Sequence, residues 1–300
     1  MSLRARFINF LLSRFSKPLW KKMDSVADYR KMLLGIERWV YGALPRGTSM
    51  SEVNAGGVPA HWLRREDSVP GRVLFYIHGG GFCTHTPKLY ARFAADLGRR
   101  LNADVLLVDY RLAPEHPFPA APDDTLAAWR WLCEQSTDGA AQRLIAGDSA
   151  GANLALVTVL QAKDVELPLP DAGWIISPAV DCDWSHDDYS FLQNDCVSFS
   201  TDTFRIIDVY FGDADRGDYR ISPITGDLSG LPPMLIEAGT REMFRKHPET
   251  FATNAERAGS HVETKLWEGM PHCFQTLEIL PEAQRARVEA TEFLLKKFAK

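Results

Sequence analysis

Residues 143–154 read Arg-Leu-Ile-Ala-Gly-Asp-Ser-Ala-Gly-Ala-Asn-Leu. An apolar run that ends in Gly147-Asp148-Ser149-Ala150-Gly151 predicts a buried strand breaking sharply into a helix. A serine at the tip of such a turn needs a strained backbone. Glycines two positions to either side remove the Cβ atoms that would collide there. The hydroxyl of Ser149 then stands clear of a sheet, beside the first free N–H groups of a helix, which is a nucleophile's setting.

The flanking sequence repeats one alternation. Strands are predicted at 58–66, 72–78, 105–108, 143–147, 174–178, 234–239 and 262–267, with helices near 88–101, 123–133, 150–163, 244–258 and 281–300 between them. Short apolar runs separated by helices describe a mostly parallel sheet covered on both faces. Between Asp181 and Asp218 the alternation stops. That stretch holds ten aspartates and two arginines, with Trp184, Phe199 and Phe211 among its aromatics. Residues 1–24 carry six basic side chains and one acidic, and a further helix is expected from Ser25 to about Tyr41. We therefore expect a catalytic domain of residues 51–180 and 219–300, an N-terminal helical cap of residues 1–50, and a cap insertion of residues 181–218 that packs with it.

Composition narrows the partners. A 300-residue chain with 45% hydrophobic and 24% charged residues can bury a large core, and its net charge of −5 argues against nucleic acid. No apolar run reaches the length of a membrane span. Arg4 and Arg6 before the short run 7–12 faintly echo a signal peptide, but no A-x-A-like site follows. Five cysteines with no C-x-x-C pair fit a reducing compartment, so a cytoplasmic protein is expected.

After the second strand comes His78-Gly79-Gly80-Gly81-Phe82. Successive glycine N–H groups beside a serine turn can cradle an oxyanion, whereas neither glycine-rich phosphate-loop pattern occurs. Gly80 and Gly81, joined by the N–H of Ala150, are the expected donors. No histidine or acid has the H-E-x-x-H type of metal-ligand spacing, so neither metal nor organic cofactor is expected.

Four motifs stand in order along the chain: His78-Gly79-Gly80-Gly81, Tyr110-Arg111-Leu112-Ala113-Pro114-Glu115-His116, Gly147-Asp148-Ser149-Ala150-Gly151 and Gly269-Met270-Pro271-His272-Cys273-Phe274. With them the chain resembles the bacterial hormone-sensitive-lipase-like (family IV) carboxylesterases of the α/β-hydrolase fold. The likeness covers about residue 57 to the end. It implies Ser149 as nucleophile, His272 as base, and Gly80 and Gly81 in the oxyanion hole. The family's acid, usually aspartate, falls on Glu242 here, with Glu237 as the rival inside the strand. Independently, His272 is the one histidine of eight in a loop just past a late strand, where the order Ser-acid-His requires it. His78 is expected to brace the glycine loop and His116 a turn, while His85 and His186 are expected to be solvated.

The reaction so implied is hydrolysis of short- to medium-chain carboxylic esters through an acyl-enzyme. Phe82, Trp184, Phe199 and Phe211 are candidates for the pocket, or for the cap's own core. Alternatives are a long-chain lipase, an amidase, or a silent ligand-binding protein, since plant gibberellin receptors resemble this family but have lost the histidine. A homodimer is left open by the resemblance.

Overall fold

The computed structural model describes residues 1–40, 43–135, 142–184 and 195–298, without the side chains of residues 36 and 38–40. The N-terminal segment comprises α1 (Leu3–Leu11), a π-helical turn (Leu12–Ser16), α2 (Lys17–Trp20) and α3 (Val26–Val40). The sheet strands are β1 (Thr48–Ala55), β2 (Val58–Arg65), β3 (Arg72–Ile77), β4 (Asp104–Val108), β5 (Gln142–Asp148), β6 (Ala172–Ile176), β7 (Met234–Gly239) and β8 (Val262–Trp267). Between and after them lie α4 (Pro87–Leu101), α5 (Ala120–Gln135), α6 (Ala150–Asp164), α7 (Asp202–Ile207), α8 (His247–Arg257) and α9 (Pro281–Lys296).

The eight strands form one sheet in the order β1-β2-β4-β3-β5-β6-β7-β8. The β1–β2 and β2–β4 pairs are antiparallel and the others parallel. Alternation along the central strands divides the core in two. Phe75 and Ile77 join Ile145, Trp129 and Leu154 on the face covered by α5 and α6. Leu74 and Tyr76 join Trp174, Phe93, Leu97 and Leu294 on the face of α4 and α9. Both faces being covered is why these strands read as unbroken apolar runs.

Two expectations shift. Thr48–Ala55 forms an edge strand where no element was expected, because seven of its eight residues stay at least partly accessible and leave no apolar alternation to read. Helix α8 begins at His247 rather than near 244, since residues 240–246 fold into the loop that carries Glu242.

The N-terminal segment contacts the loops after β8, residues 195–205 and, through α3, the loop and helix after β3. Its first helix lies against the loops that follow β8: Asn9 Nδ2 donates to the Gly269 carbonyl at 2.7 Å and Arg4 Nη1 to that of Ile279 at 3.2 Å. Farther on, Trp20 Nε1 donates to the Ser198 carbonyl at 3.0 Å, Lys17 Nζ to that of Cys196 at 3.0 Å, and Arg205 Nη2 to that of Met23 at 2.6 Å. Contact with residues 195–205 therefore begins at α2; α1 itself packs on the C-terminal part of the chain. Among the described residues no helix is long and apolar enough to cross a membrane.

Trp20 is 2% exposed and its ring lies 5.0 Å from Tyr29 and 5.3 Å from Phe199. Trp20→Ala should destabilise the protein by about 3–5 kcal/mol, the range for losing a buried aromatic, measured by chemical unfolding; an unchanged midpoint would mean that this contact contributes nothing.

Candidate active site

Ser149 sits between β5 and α6 at φ 53° and ψ −119°, a conformation L-residues avoid. Close approach enforces it. A Cβ on Gly147 would lie 2.3 Å from the Gly151 carbonyl oxygen, and one on Gly151 would lie 2.1 Å from that of Ile77. Helix α6 thereby starts hard against the end of β3, the strand that leads into His78-Gly79-Gly80-Gly81.

The imidazole of His272 meets the serine: Nε2 is 2.8 Å from Ser149 Oγ. Its Nδ1 is bonded to Glu242 Oε2, and Glu242 is fully buried. A carboxylate accepts the Nδ1–H, so the Nε2 lone pair faces the hydroxyl and accepts its proton. The second oxygen of Glu242 accepts the Gly239 N–H at 2.9 Å. Gly239 is itself required, because a Cβ there would stand 2.0 Å from the Met270 carbonyl oxygen, in the loop that bears His272. Thr240 and Arg241 N–H groups bond the carbonyls of Trp267 and Met270, tying the acid's loop to the histidine's.

Glu237, the rival acid, points elsewhere. Its oxygens accept the indole N–H groups of Trp267 at 2.8 Å and Trp174 at 2.9 Å. Burial raises its pKa to about 7, the two indole bonds offsetting only part of that.

Gly80, at φ 122°, and Gly81, at φ 60°, turn the loop after β3. A Cβ on Gly80 would fall 2.1 Å from the Thr84 carbonyl oxygen. Among the described residues the N–H groups of Gly80, Gly81 and Ala150 have no protein acceptor, while that of Ser149 is spent on the Ile176 carbonyl at 2.8 Å. These unspent donors thus belong to the residue after Ser149 and to the loop whose Gly79 is bonded to Asp148.

Asp148, buried next to Ser149, carried no signal of its own in the sequence. It accepts Tyr76 Oη at 2.7 Å, Tyr90 Oη at 3.0 Å and the Gly79 N–H at 3.0 Å, and so clamps the glycine loop to the serine turn. From the N-terminal segment, Arg30 donates to the Cys83 and Ala113 carbonyls, and Glu37 accepts the Lys88 and Leu89 N–H groups at the start of α4. Nothing in a lone Arg or Glu on an amphipathic helix announces such a reach of some fifty residues or more.

His78 is fully buried, with Nδ1 donating to the Gly79 carbonyl at 2.7 Å, and burial keeps it neutral by lowering its pKa. The expectation that His85 is solvated is corrected: it stacks on His78 at 4.0 Å and its Nδ1 contacts Asp109 at 2.7 Å. A histidine one turn beyond a glycine loop is drawn under it by that stacking and that acid. His78, His85 and Asp109 bring ligand-type atoms within 4.8 Å of one another. With the two rings only 12° from parallel, their in-plane lone pairs run side by side instead of converging, which fits a metal poorly. His116 is exposed, and its backbone N–H closes a turn on Leu112. His186 lies outside the described residues.

Aromatic rings form a chain from His272 to the glycine loop. Phe199 lies 5.1 Å from His272 and Phe244 5.7 Å from it, Trp184 follows at 6.1 Å from Phe244, and Phe211 at 6.1 Å from Trp184. Phe82 stacks on Tyr210 at 4.0 Å. Phe82 and Phe211 are almost wholly buried, whereas Trp184 and Phe199 keep part of their surface accessible.

The family model for the alpha/beta hydrolase fold matches residues 74–276, and the chain belongs to that family. An acetyl-hydrolase of Streptomyces hygroscopicus is 36% identical over 246 residues, covering 81% of each chain. An esterase of Acinetobacter venetianus is 32% identical over 244 residues, covering 80% of each. The crystal structure of an esterase from the bacterial hormone-sensitive lipase family superposes with a TM-score of 0.89 at 29% identity, covering 99% of both chains. Within the α/β hydrolases this protein is a hormone-sensitive-lipase-like ester hydrolase.

The environment of Glu237 generates a pH effect. Its folded-state pKa stands above the ordinary 4.5, so the folded state retains a proton that the unfolded chain has lost between about 4.5 and about 7. That contribution to stability is complete below the lower value and is lost as pH rises through the upper one. The buried His78, lowered in pKa, acts in the opposite sense within the same window, so the test is the difference: from about pH 4.5 to about 7 the wild-type protein should lose melting temperature relative to Glu237→Gln, and a constant difference would contradict a protonated Glu237.

Proposed function

We propose that the protein hydrolyses short- to medium-chain carboxylic esters through an acyl-enzyme on Ser149, with His272 as general base and acid, Glu242 as its orienting carboxylate, and Gly80, Gly81 and Ala150 as oxyanion donors. The observation that carries the proposal is the continuous relay Ser149–His272–Glu242 beside three unspent N–H groups.

The steps follow from the positions. As Ser149 Oγ attacks the ester carbonyl, its proton passes to His272 Nε2, and Glu242 offsets the charge that grows on the ring. The carbonyl oxygen becomes an oxyanion held by the backbone donors, each worth roughly 3–4 kcal/mol in the transition state. His272 returns the proton to the departing alcohol. Water, deprotonated by the same nitrogen, then releases the carboxylic acid and restores the serine. Glutamate in place of the family's usual aspartate is accommodated because the loop 240–242 is pinned to the histidine's loop by backbone bonds.

Trp184 and Phe199, partly accessible and joined to His272 through ring contacts, support an acyl pocket of modest depth. Phe82 and Phe211 back that wall from the core. Five unpaired cysteines support the cytoplasmic reading.

Ser149→Ala should abolish turnover of p-nitrophenyl acetate, and Glu242→Gln should reduce kcat by two or more orders of magnitude, while Glu237→Gln leaves it within about threefold. The reverse ranking of the two glutamates would reassign the acid. Across p-nitrophenyl esters of increasing acyl length, kcat/KM should peak at short to medium chains; a maximum at long chains would favour the lipase reading.

A further inference from the structure

Helix α1 turns an apolar face away from the protein. Leu3, Phe7 and Phe10, spaced i, i+4 and i+7, are 80%, 60% and 58% exposed. Such spacing places them on a single stripe about 60° wide. The opposite side, Ala5 and Ile8, packs on Met270, Phe274 and Leu280, so the helix is fixed and its rotation is set. Phe15 in the π-helical turn and Leu19 in α2 are 59% and 40% exposed. Large apolar side chains this exposed along one element are a surface feature that calls for a partner.

Charge identifies the partner. Arg4, Arg6, Arg14, Lys17, Lys21 and Lys22 lie among these apolar residues, with Asp24 as the sole acid through residue 24, in a chain whose net charge is −5. Arg4 and Arg6 flank the stripe on either side of it. We propose that α1 and α2 form an interfacial membrane-docking element: they lie flat on an anionic lipid surface, the Leu3–Phe7–Phe10 stripe entering the acyl boundary and the exposed Arg6, Arg14, Lys21 and Lys22 meeting lipid phosphates. A second copy of the chain fits this face less well, because a two-fold contact would set each cluster of cations against itself.

The element also reaches the catalytic centre. Trp20, at the end of α2, packs on Phe199, and Phe199 packs on His272. The docking element is thereby coupled to the ring that packs on His272. The docking itself does not depend on which acyl chains are hydrolysed.

The test is sedimentation of the full-length protein with vesicles of mixed phosphatidylglycerol and phosphatidylcholine, and with vesicles of phosphatidylcholine alone. The proposal expects at least about a tenfold preference for the mixed vesicles, reversed by added salt. Two variants, Phe7→Glu/Phe10→Glu and Arg6→Glu/Arg14→Glu, should each lose about tenfold in binding while kcat/KM on p-nitrophenyl acetate stays within about twofold. Retained melting temperatures check that both variants fold. Failure to sediment with either vesicle, equal binding to both, or variants that bind like the parent would overturn it. So would light scattering that shows a dimer converted to a monomer by Phe7→Glu/Phe10→Glu, which would assign the stripe to self-association.

Discussion

Everything at this site depends on how closely α6 approaches the end of β3. Only hydrogen at position 151 lets the helix start against the Ile77 carbonyl, and only hydrogen at 147 lets β5 turn back past Gly151. That contact holds Ser149 at positive φ and places the first free N–H of α6 next to the glycine loop that continues β3. Ser149 and the proposed oxyanion donors are therefore set by a single packing event. The cost of the strained serine is offset by the surrounding core, in which β5, β6 and β7 are nearly all buried. Asp148 adds a second constraint. A carboxyl group raised in pKa by burial, and held by two tyrosines and the Gly79 N–H, locks the two backbone segments together.

The same device recurs on the other side of the serine. Gly239 lets β7 press against the Met270 carbonyl, and the loop bonds that follow bring a glutamate under the imidazole. Glutamate is longer than the aspartate usual in this family, and its extra methylene is absorbed by placing one oxygen on the Gly239 N–H and the other on His272. Sheet order then does the rest. Ser149 follows β5, Glu242 follows β7 and His272 follows β8, so parallel strands deliver all three groups to the same edge.

Much of this arrangement is legible in the sequence because its causes are local. Consecutive buried strands are continuous apolar runs, and the need for glycine at 147, 151, 80 and 81 is written in the motifs themselves. What escaped reading is either polar or long-range. Strand β1 has no buried alternation because it is an edge. The location of His85 depends on a stacking partner seven residues back and an acid 24 residues on. Arg30 and Glu37 act on the loop and helix that follow Gly81 from an N-terminal helix whose pattern speaks only of amphipathicity. Phe82 and Phe211 are aromatic like Trp184 and Phe199, and only packing separates those that wall the core from those that retain accessible surface.

In the mechanism proposed for this fold, His272 makes Ser149 nucleophilic. Intact-mass and peptide-mass analysis after brief exposure to a short-chain fluorophosphonate tests it most directly. One adduct per chain is expected, on the peptide containing Ser149, with a much slower reaction in His272→Ala while the protein stays folded. An adduct on another residue, or labelling of Ser149 at an unchanged rate without the imidazole, would contradict it.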